Sequence, residues 1–184
     1  MAENLRTTTA GQMRASPEMI VEELFEQHYD DIYRYLFYRV GDHSTAEDLA
    51  SEVFLRVIGA LPGYKAGPVS IRAWIFQIAR NLAIDHFRKA SLRQDVQLNE
   101  DVPAEGSDPH DSLEMRLTVT KLNSALAHLP ENQREVIILR FGVALPLADV
   151  AMMLHKSEDA VKGLQRRALT ALREILTEWE VVHV

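Results

Sequence analysis

Ile20, Val21, Leu24, Phe25, His28, Ile32, Tyr35 and Leu36 recur at the i, i+3, i+4 spacing that gives a helix one apolar face. Gly41 and Asp42 end that run. Ser44 or Thr45 can cap the next helix, which places Glu47 and Asp48 in its first turn, where the helix dipole favours negative charge. Ala46, Leu49, Val53, Phe54, Val57, Ile58 and Leu61 supply its apolar face. Pro62-Gly63 and Gly67-Pro68 then bracket a loop that also holds Tyr64 and Lys65. A third helix is expected from Ile71 to about Leu92, carrying Trp74, Ile75, Ile78, Leu82, Ile84 and Phe87.

The periodicity lapses over residues 94–112, QDVQLNEDVPAEGSDPHDS, an acidic stretch with two prolines that reads as a linker. Helicity resumes near Leu113 and runs to Leu129. Pro130 suits the first turn of a helix from Glu131 to Phe141, which Gly142 stops. Pro146 suits position N1 of a short helix ending at Met153. After a tight turn through Leu154, His155 and Lys156, Ser157 can cap a last helix from Glu158 to about Trp179. No strand pattern and no repeat is visible. The expected fold is all-α: two small helical domains, residues 18–93 and 113–184, joined by a flexible acidic linker over 94–112 and preceded by a mobile polar tail over 1–17.

Composition narrows the chemistry. The 184 residues contain no cysteine, which excludes disulfides, a thiolate nucleophile and a cysteine-ligated metal. Seven scattered histidines include no i, i+4 pair, so neither a metal site nor a cofactor is expected. No apolar run is long enough for a membrane helix and the N-terminus does not resemble a signal peptide, so a cytoplasmic protein without membrane insertion is expected. The net charge of −7 is unevenly spread. Glu18 to Ala60 holds ten acids and three bases, and Asp95 to Glu114 holds seven acids and no base. Arg72 to Arg93 instead has five bases and one acid, and His155 to Arg173 five bases and two acids. Two local cationic patches suit contact with nucleic acid at two places.

The stretch from Pro146 to Leu172 has the spacing of a helix-turn-helix, with Val150, Ala151, Leu154, Val161, Leu164 and Leu169 placed to join its helices. Lys162, Gln165, Arg166 and Arg167 fall on the outward positions, where Arg and Lys reach phosphates or guanine edges and Gln can read adenine. A solvated helix that merely completes a bundle has a similar pattern; three bases so close together in so acidic a chain favour DNA. In the first half, Arg72, Arg80, Arg88, Lys89 and Arg93 alternate with Trp74, Phe76 and Phe87. Basic groups can follow phosphates while aromatics stack on unpaired bases, although Trp74 and Phe87 suit a core equally well.

In order, the chain shows an acidic AEDLASEVFLRV helix, a Gly/Pro loop, WIFQIARNLAIDHFRK, an acidic linker, LPENQREVIILRFG and a helix-turn-helix ending AVKGLQRRALTALRE. Over residues 20–176 this resembles the extracytoplasmic-function sigma factors of the sigma-70 family, which hold only the second and fourth sigma regions. The resemblance implies a non-enzymatic protein that binds core RNA polymerase, directs it to promoters and is held by an anti-sigma factor. It implies polymerase docking by Asp48 and Glu52. For the melted −10 element it implicates Tyr64, Lys65, Ser70, Arg72, Trp74, Arg80, Asn81, Arg88 and Lys89. For the duplex −35 element it implicates Arg140, Ser157, Lys162, Gly163, Arg166 and Arg167.

The recognition helix departs from the family pattern. Asp159-Ala160-Val161-Lys162-Gly163-Leu164 stands where Gly-Thr-Val-Lys-Ser-Arg is frequent, which removes donors and places a carboxylate near phosphate. Gly163 could let the backbone come close to DNA. Two other readings stay open at the level of sequence: a self-sufficient helix-turn-helix regulator that binds a palindrome as a dimer, and an interaction protein or small helical enzyme.

Overall fold

The computed structural model describes residues 17–65, 67, 69–94 and 113–181. The expected tail up to residue 16, the linker over 95–112 and the last three residues lie outside the described residues. Among the described residues there are seven α-helices: α1 Pro17–Val40, α2 His43–Ala60, α3 Ile71–Gln94, α4 Leu113–Ala127, α5 Glu131–Ile137, α6 Leu147–Met153 and α7 Glu158–Val181. Among the described residues there is no strand, and no helix is long and apolar enough to cross a membrane.

Helices α1, α2 and α3 pack on one another around Ile32, Leu36, Ala46, Ala50, Val53, Val57 and Phe76, all fully buried. The alanines lining the contact let the helix axes approach closely. Gly41, at φ +80°, ends α1, and its N–H donates to the Phe37 carbonyl at 2.8 Å. Asp42, rather than Ser44 or Thr45, caps α2: its carboxylate accepts from the Thr45 N–H at 2.7 Å. Glu47 and Asp48 therefore fall beyond the first turn. The bond from Thr45 holds the Asp42 carboxyl below its ordinary range. Leu61–Gly63 continue as a 3-10 turn, and Ser70 caps α3, its Oγ accepting from the Ala73 N–H at 3.1 Å.

In the second half α5 packs on α7, and α6 packs on α7 as the two limbs of the helix-turn-helix. Pro130 and Pro146 sit one position ahead of α5 and α6 rather than inside their first turns. Beyond Ile137 the expected helix widens into a π-turn, Ile138–Gly142. Ala144 (φ 54°) and His155 (φ 52°) are non-glycine residues in the left-handed region, one on each side of α6. Val161, Ala168 and Leu172 of α7 are buried, whereas Leu169, expected in the helix contact, is exposed. Phe25 and Ile58 are likewise exposed despite their place in the apolar periodicity.

The two halves meet. Helix α1 packs against the π-turn and α3 against α6. The shared surface is unusually polar. Tyr35 is completely buried and donates its hydroxyl to Glu135 Oε1 at 2.7 Å, while its ring meets Phe76 edge-on at 5.6 Å.

Candidate functional site

Three surfaces carry the residues singled out by the sequence. The first lies on α2. Asp48 is exposed, and Glu52 accepts from Arg56 Nε at 2.9 Å, an i, i+4 pair worth only a few tenths of a kcal/mol where solvent screens it. Beside them Leu55 (63% exposed) and Ile58 line an apolar groove of about 810 Å³, completed by Ile20, Val21 and Phe25 of α1. Asp48, Ser51, Leu55 and Ile58 follow at steps of three and four, so acid and apolar groups share one stripe. Leu55 was the sequence signal missed here. It lies off the buried positions Val53, Phe54 and Val57, with no core reason to be leucine.

The second surface is the start of α3 and the loop before it. Tyr64 and Trp74 meet at 4.8 Å between centroids, their planes tilted by 44°, and line a cavity of about 470 Å³, whose other side is Met152, Met153 and His155 of the helix-turn-helix. Burial raises the Tyr64 phenol pKa. Lys65 borders the same cavity and is exposed. Ser70 Oγ donates to Asp149 Oδ2 at 2.8 Å while capping α3, so one hydroxyl serves two contacts. Arg72 pairs with Asp31 at 2.8 Å and donates to the carbonyls of Val143 and Ala144. Arg80 approaches the buried Glu135 at 3.6 Å. Asn81, Arg88 and Lys89 remain exposed, with Asn81 accepting from Gln77 and Arg88 paired to Asp85 at 3.2 Å. Thus Ser70, Arg72, Trp74, Arg80 and Tyr64 face the second half of the chain, while the other members face solvent.

Glu135 is the centre of this meeting, and sequence reasoning passed over it. It is 2% exposed, accepts from Tyr35, and lies 3.4 Å from Arg39 Nε and 3.6 Å from Arg80 Nε. Arg39 is itself buried and donates to Glu131 at 2.5 Å. Burial opposes the charge on Arg39, but Glu135 and Glu131 outweigh it and raise its pKa. Burial would raise the Glu131 pKa, yet the bonds from Arg39 and Arg134 hold it below its ordinary range. For Tyr35, burial and then the adjacent Glu135 charge push the phenol well above its usual value. The hydroxyl stays protonated and donates.

The third surface is α7. Ser157 Oγ accepts from the Ala160 N–H at 3.2 Å and caps the helix. Lys162 pairs with Asp159 at 3.1 Å, and Arg166 and Arg167 are exposed. Gly163 has an open flank: the nearest atom to an added Cβ is Arg167 Nη1 at 3.8 Å. Arg140 is half-buried and donates to the Leu145 carbonyl. Among the described residues no group of three or more His, Asp or Glu could hold a metal ion.

Comparison with known proteins follows the same division. The family model described as Sigma-70 region 2 matches residues 24–93, and that for Sigma-70, region 4 matches residues 125–174. The chain is 34% identical over 163 residues to the ECF RNA polymerase sigma factor SigX of Bacillus subtilis, covering 82% of this chain and 80% of that protein. The chain belongs to the extracytoplasmic-function (ECF) sigma factors of the sigma-70 family. It is also 38% identical over 157 residues to the ECF sigma factor BldN of Streptomyces coelicolor, a match that covers 84% of this chain and about 60% of BldN. In fold, this sigma factor is similar to RpoE solved with the anti-sigma factor NepR from Bartonella quintana (TM-score 0.72, 24% identity, 87% of this chain and 98% of that one). It is also similar in fold to CnrH solved with the cytosolic domain of CnrY (TM-score 0.71, 22% identity, 92% and 95%).

In sigma-factor terms, α1–α3 carry region 2, and α5–α7 carry most of region 4. The Tyr35, Arg39, Arg72 and Arg80 contacts therefore join region 2 to region 4.

Proposed function

We propose that this protein binds core RNA polymerase and directs it to promoters in the cytoplasm, acting as an initiation factor rather than an enzyme and needing no cofactor. The observation that supports it most is the presence, on one chain, of both sigma regions, with the basic face of α7 left in solvent. Region 2, over 18–93, docks on polymerase through Asp48, Glu52 and the neighbouring apolar groove. A carboxylate-edged apolar surface suits a partner helix with basic and aliphatic groups. Tyr64, Lys65, Ser70, Arg72, Trp74, Arg80, Asn81, Arg88 and Lys89 serve the melted −10 strand, where a flipped base must regain a few kcal/mol through stacking and hydrogen bonds.

Region 4, over 113–184, reads duplex −35 DNA with Ser157, Lys162, Gly163, Arg166 and Arg167. Arg140, engaged with the Leu145 carbonyl, supports this surface from the side. Joining two weak contacts by the segment over 94–112 raises their effective concentration, so neither must bind tightly alone. Family membership also brings an anti-sigma factor into the reading as a partner.

The test is capture of core polymerase followed by run-off transcription. Transcripts from defined starts only when the protein is added support the reading. Tight sequence-specific duplex binding without polymerase, and no transcription with it, would replace it by a self-sufficient operator-binding regulator.

A further inference from the structure

We propose that Asp159 is a specificity residue that selects a cytosine in the −35 duplex, about three base steps from a guanine taken by Arg166. This rests on the duplex-reading role given to region 4 above and adds the letters that it reads. Successive residues of a helix are turned by about 100°. The direction opposite the buried face of Val161, Ala168 and Leu172 is therefore the line Asp159, Gly163, Arg166 and Thr170, at steps of four, three and four. Asp159, with 91% of its side chain exposed, is the most open end of that line. Lys162 and Arg167 flank it, one on each side, as the two phosphate chains flank the floor of a groove. Gln165, the candidate reader of adenine, is half-buried on the core side. Thr170 turns its hydroxyl back onto the Arg166 carbonyl at 3.1 Å. Asp159 and Arg166 are left to face base edges.

Gly163, between them, lets so short a side chain as aspartate reach. The nearest atom to an added Cβ is Arg167 Nη1 at 3.8 Å, so nothing inside the protein requires the side chain to be missing. What glycine leaves is a gap in the outermost line, through which the backbone can approach the bases and carry Asp159 with it. Hydrogen-bond chemistry then chooses the base. An ionised carboxylate only accepts. In the major groove guanine and thymine present acceptors, and adenine sets an acceptor beside its donor. Cytosine alone offers an amino donor with no acceptor next to it on the same base. Lys162 holds Asp159 Oδ1 at 3.1 Å, which leaves Oδ2 for that amino group and offsets the repulsion between the carboxylate and nearby phosphates. Arg166 lies seven residues further on, a rise of about 10 Å along α7, and its guanidinium suits guanine O6 and N7.

The test uses the holoenzyme and one promoter mapped by run-off transcription. Its −35 box is randomised, and the fragments that the holoenzyme retains are sequenced. The wild type should enrich two G·C pairs about two to four steps apart. Asp159→Ala should erase the preference at one of them, a loss of about tenfold, and Arg166→Ala the preference at the other. Asp159→Asn should turn the first from cytosine to adenine, whose N6 and N7 match an amide. Glu158→Gln removes a charge from the same end of α7 but lies off the outward line, and it should leave every preference as it was. Asp159→Ala that keeps both preferences, or weakens retention evenly at all positions, would overturn the assignment. Loss of the same preference in Glu158→Gln would overturn it too, by tracing the effect to charge at the helix end. A holoenzyme that fails to form, or that initiates nowhere, defeats the promoter reading itself. One that selects fragments without regard to Asp159 defeats only the letters.

Discussion

The hydroxyl of Tyr35 in α1 and the carboxylate of Glu135 in α5, a hundred positions apart, share a 2.7 Å hydrogen bond with no access to solvent. A hydrogen bond to a charged group contributes about 1.5–3 kcal/mol, and a buried acceptor left short of a donor costs a similar amount. Tyr35→Phe should therefore lower the unfolding free energy by about 2 kcal/mol, read by urea denaturation. A double-mutant cycle with Glu135→Gln should show coupling above about 0.5 kcal/mol. Additive effects would mean that the bond is absent in solution.

Charge reversal on α2 separates docking from folding. Asp48→Arg with Glu52→Arg should abolish capture of core polymerase while melting temperature and helicity stay close to wild type, since both side chains face solvent and the Glu52–Arg56 pair is weak. Leu55→Asp should weaken capture at least as much as either single charge change, because it places a carboxylate in the apolar groove. A working holoenzyme with all three changes would move the docking surface elsewhere.

On α7, Arg166→Ala and Arg167→Ala should each cost about 1–3 kcal/mol of −35 recognition if bidentate to a base, measured as promoter affinity of the holoenzyme. Gly163→Ala should act in opposite directions on two quantities. With nothing nearer than 3.8 Å to the added methyl, it should stabilise the free protein by up to about 1 kcal/mol. It should weaken duplex binding if the backbone at that point lies against DNA. Tighter binding would show that the glycine serves no close approach.

His28 sets a pH dependence. Burial, and then the charge of Arg72, lowers its pKa from the ordinary 6.5, with Asp31 opposing. The unfolded chain then binds a proton near pH 6.5 that the folded chain resists, so stability is complete above that pH and declines as pH falls below it. Melting temperature should drop between pH 7.5 and 5.5, and His28→Gln should flatten that drop. An unchanged slope would assign the dependence to other groups.

Much of the fold was legible because helix periodicity and punctuation agree. Gly41, Gly142 and Ser157 mark real ends, and the buried stripe of Ile32, Tyr35, Val53, Val57 and Val161 follows the 3.6-residue period. The misses arose where neighbouring residues offer equivalent chemistry. Asp42, Ser44 and Thr45 can all cap a helix, and only the backbone conformation at Asp42, φ −123° and ψ 131°, selects one. Leu169 lies one step round the helix wheel from Ala168, and the buried face of α7 runs through Val161, Ala168 and Leu172, which leaves Leu169 outside it. The meeting of the regions was illegible for a different reason. Glu135 looks like any solvated acid within ENQREVI, and its burial depends on Tyr35, Arg39 and Arg80, which come from distant parts of the chain.

Ala144 and His155 frame α6 with two left-handed joints, each costing about 1 kcal/mol for a residue that carries a side chain. Such joints persist only where the surrounding structure overdetermines them. The seven-residue α6 therefore begins and ends at backbone conformations that only its surroundings hold in place. A fourth region that reads duplex DNA through α7, as proposed, would then owe the angle between its two limbs to this pair of joints.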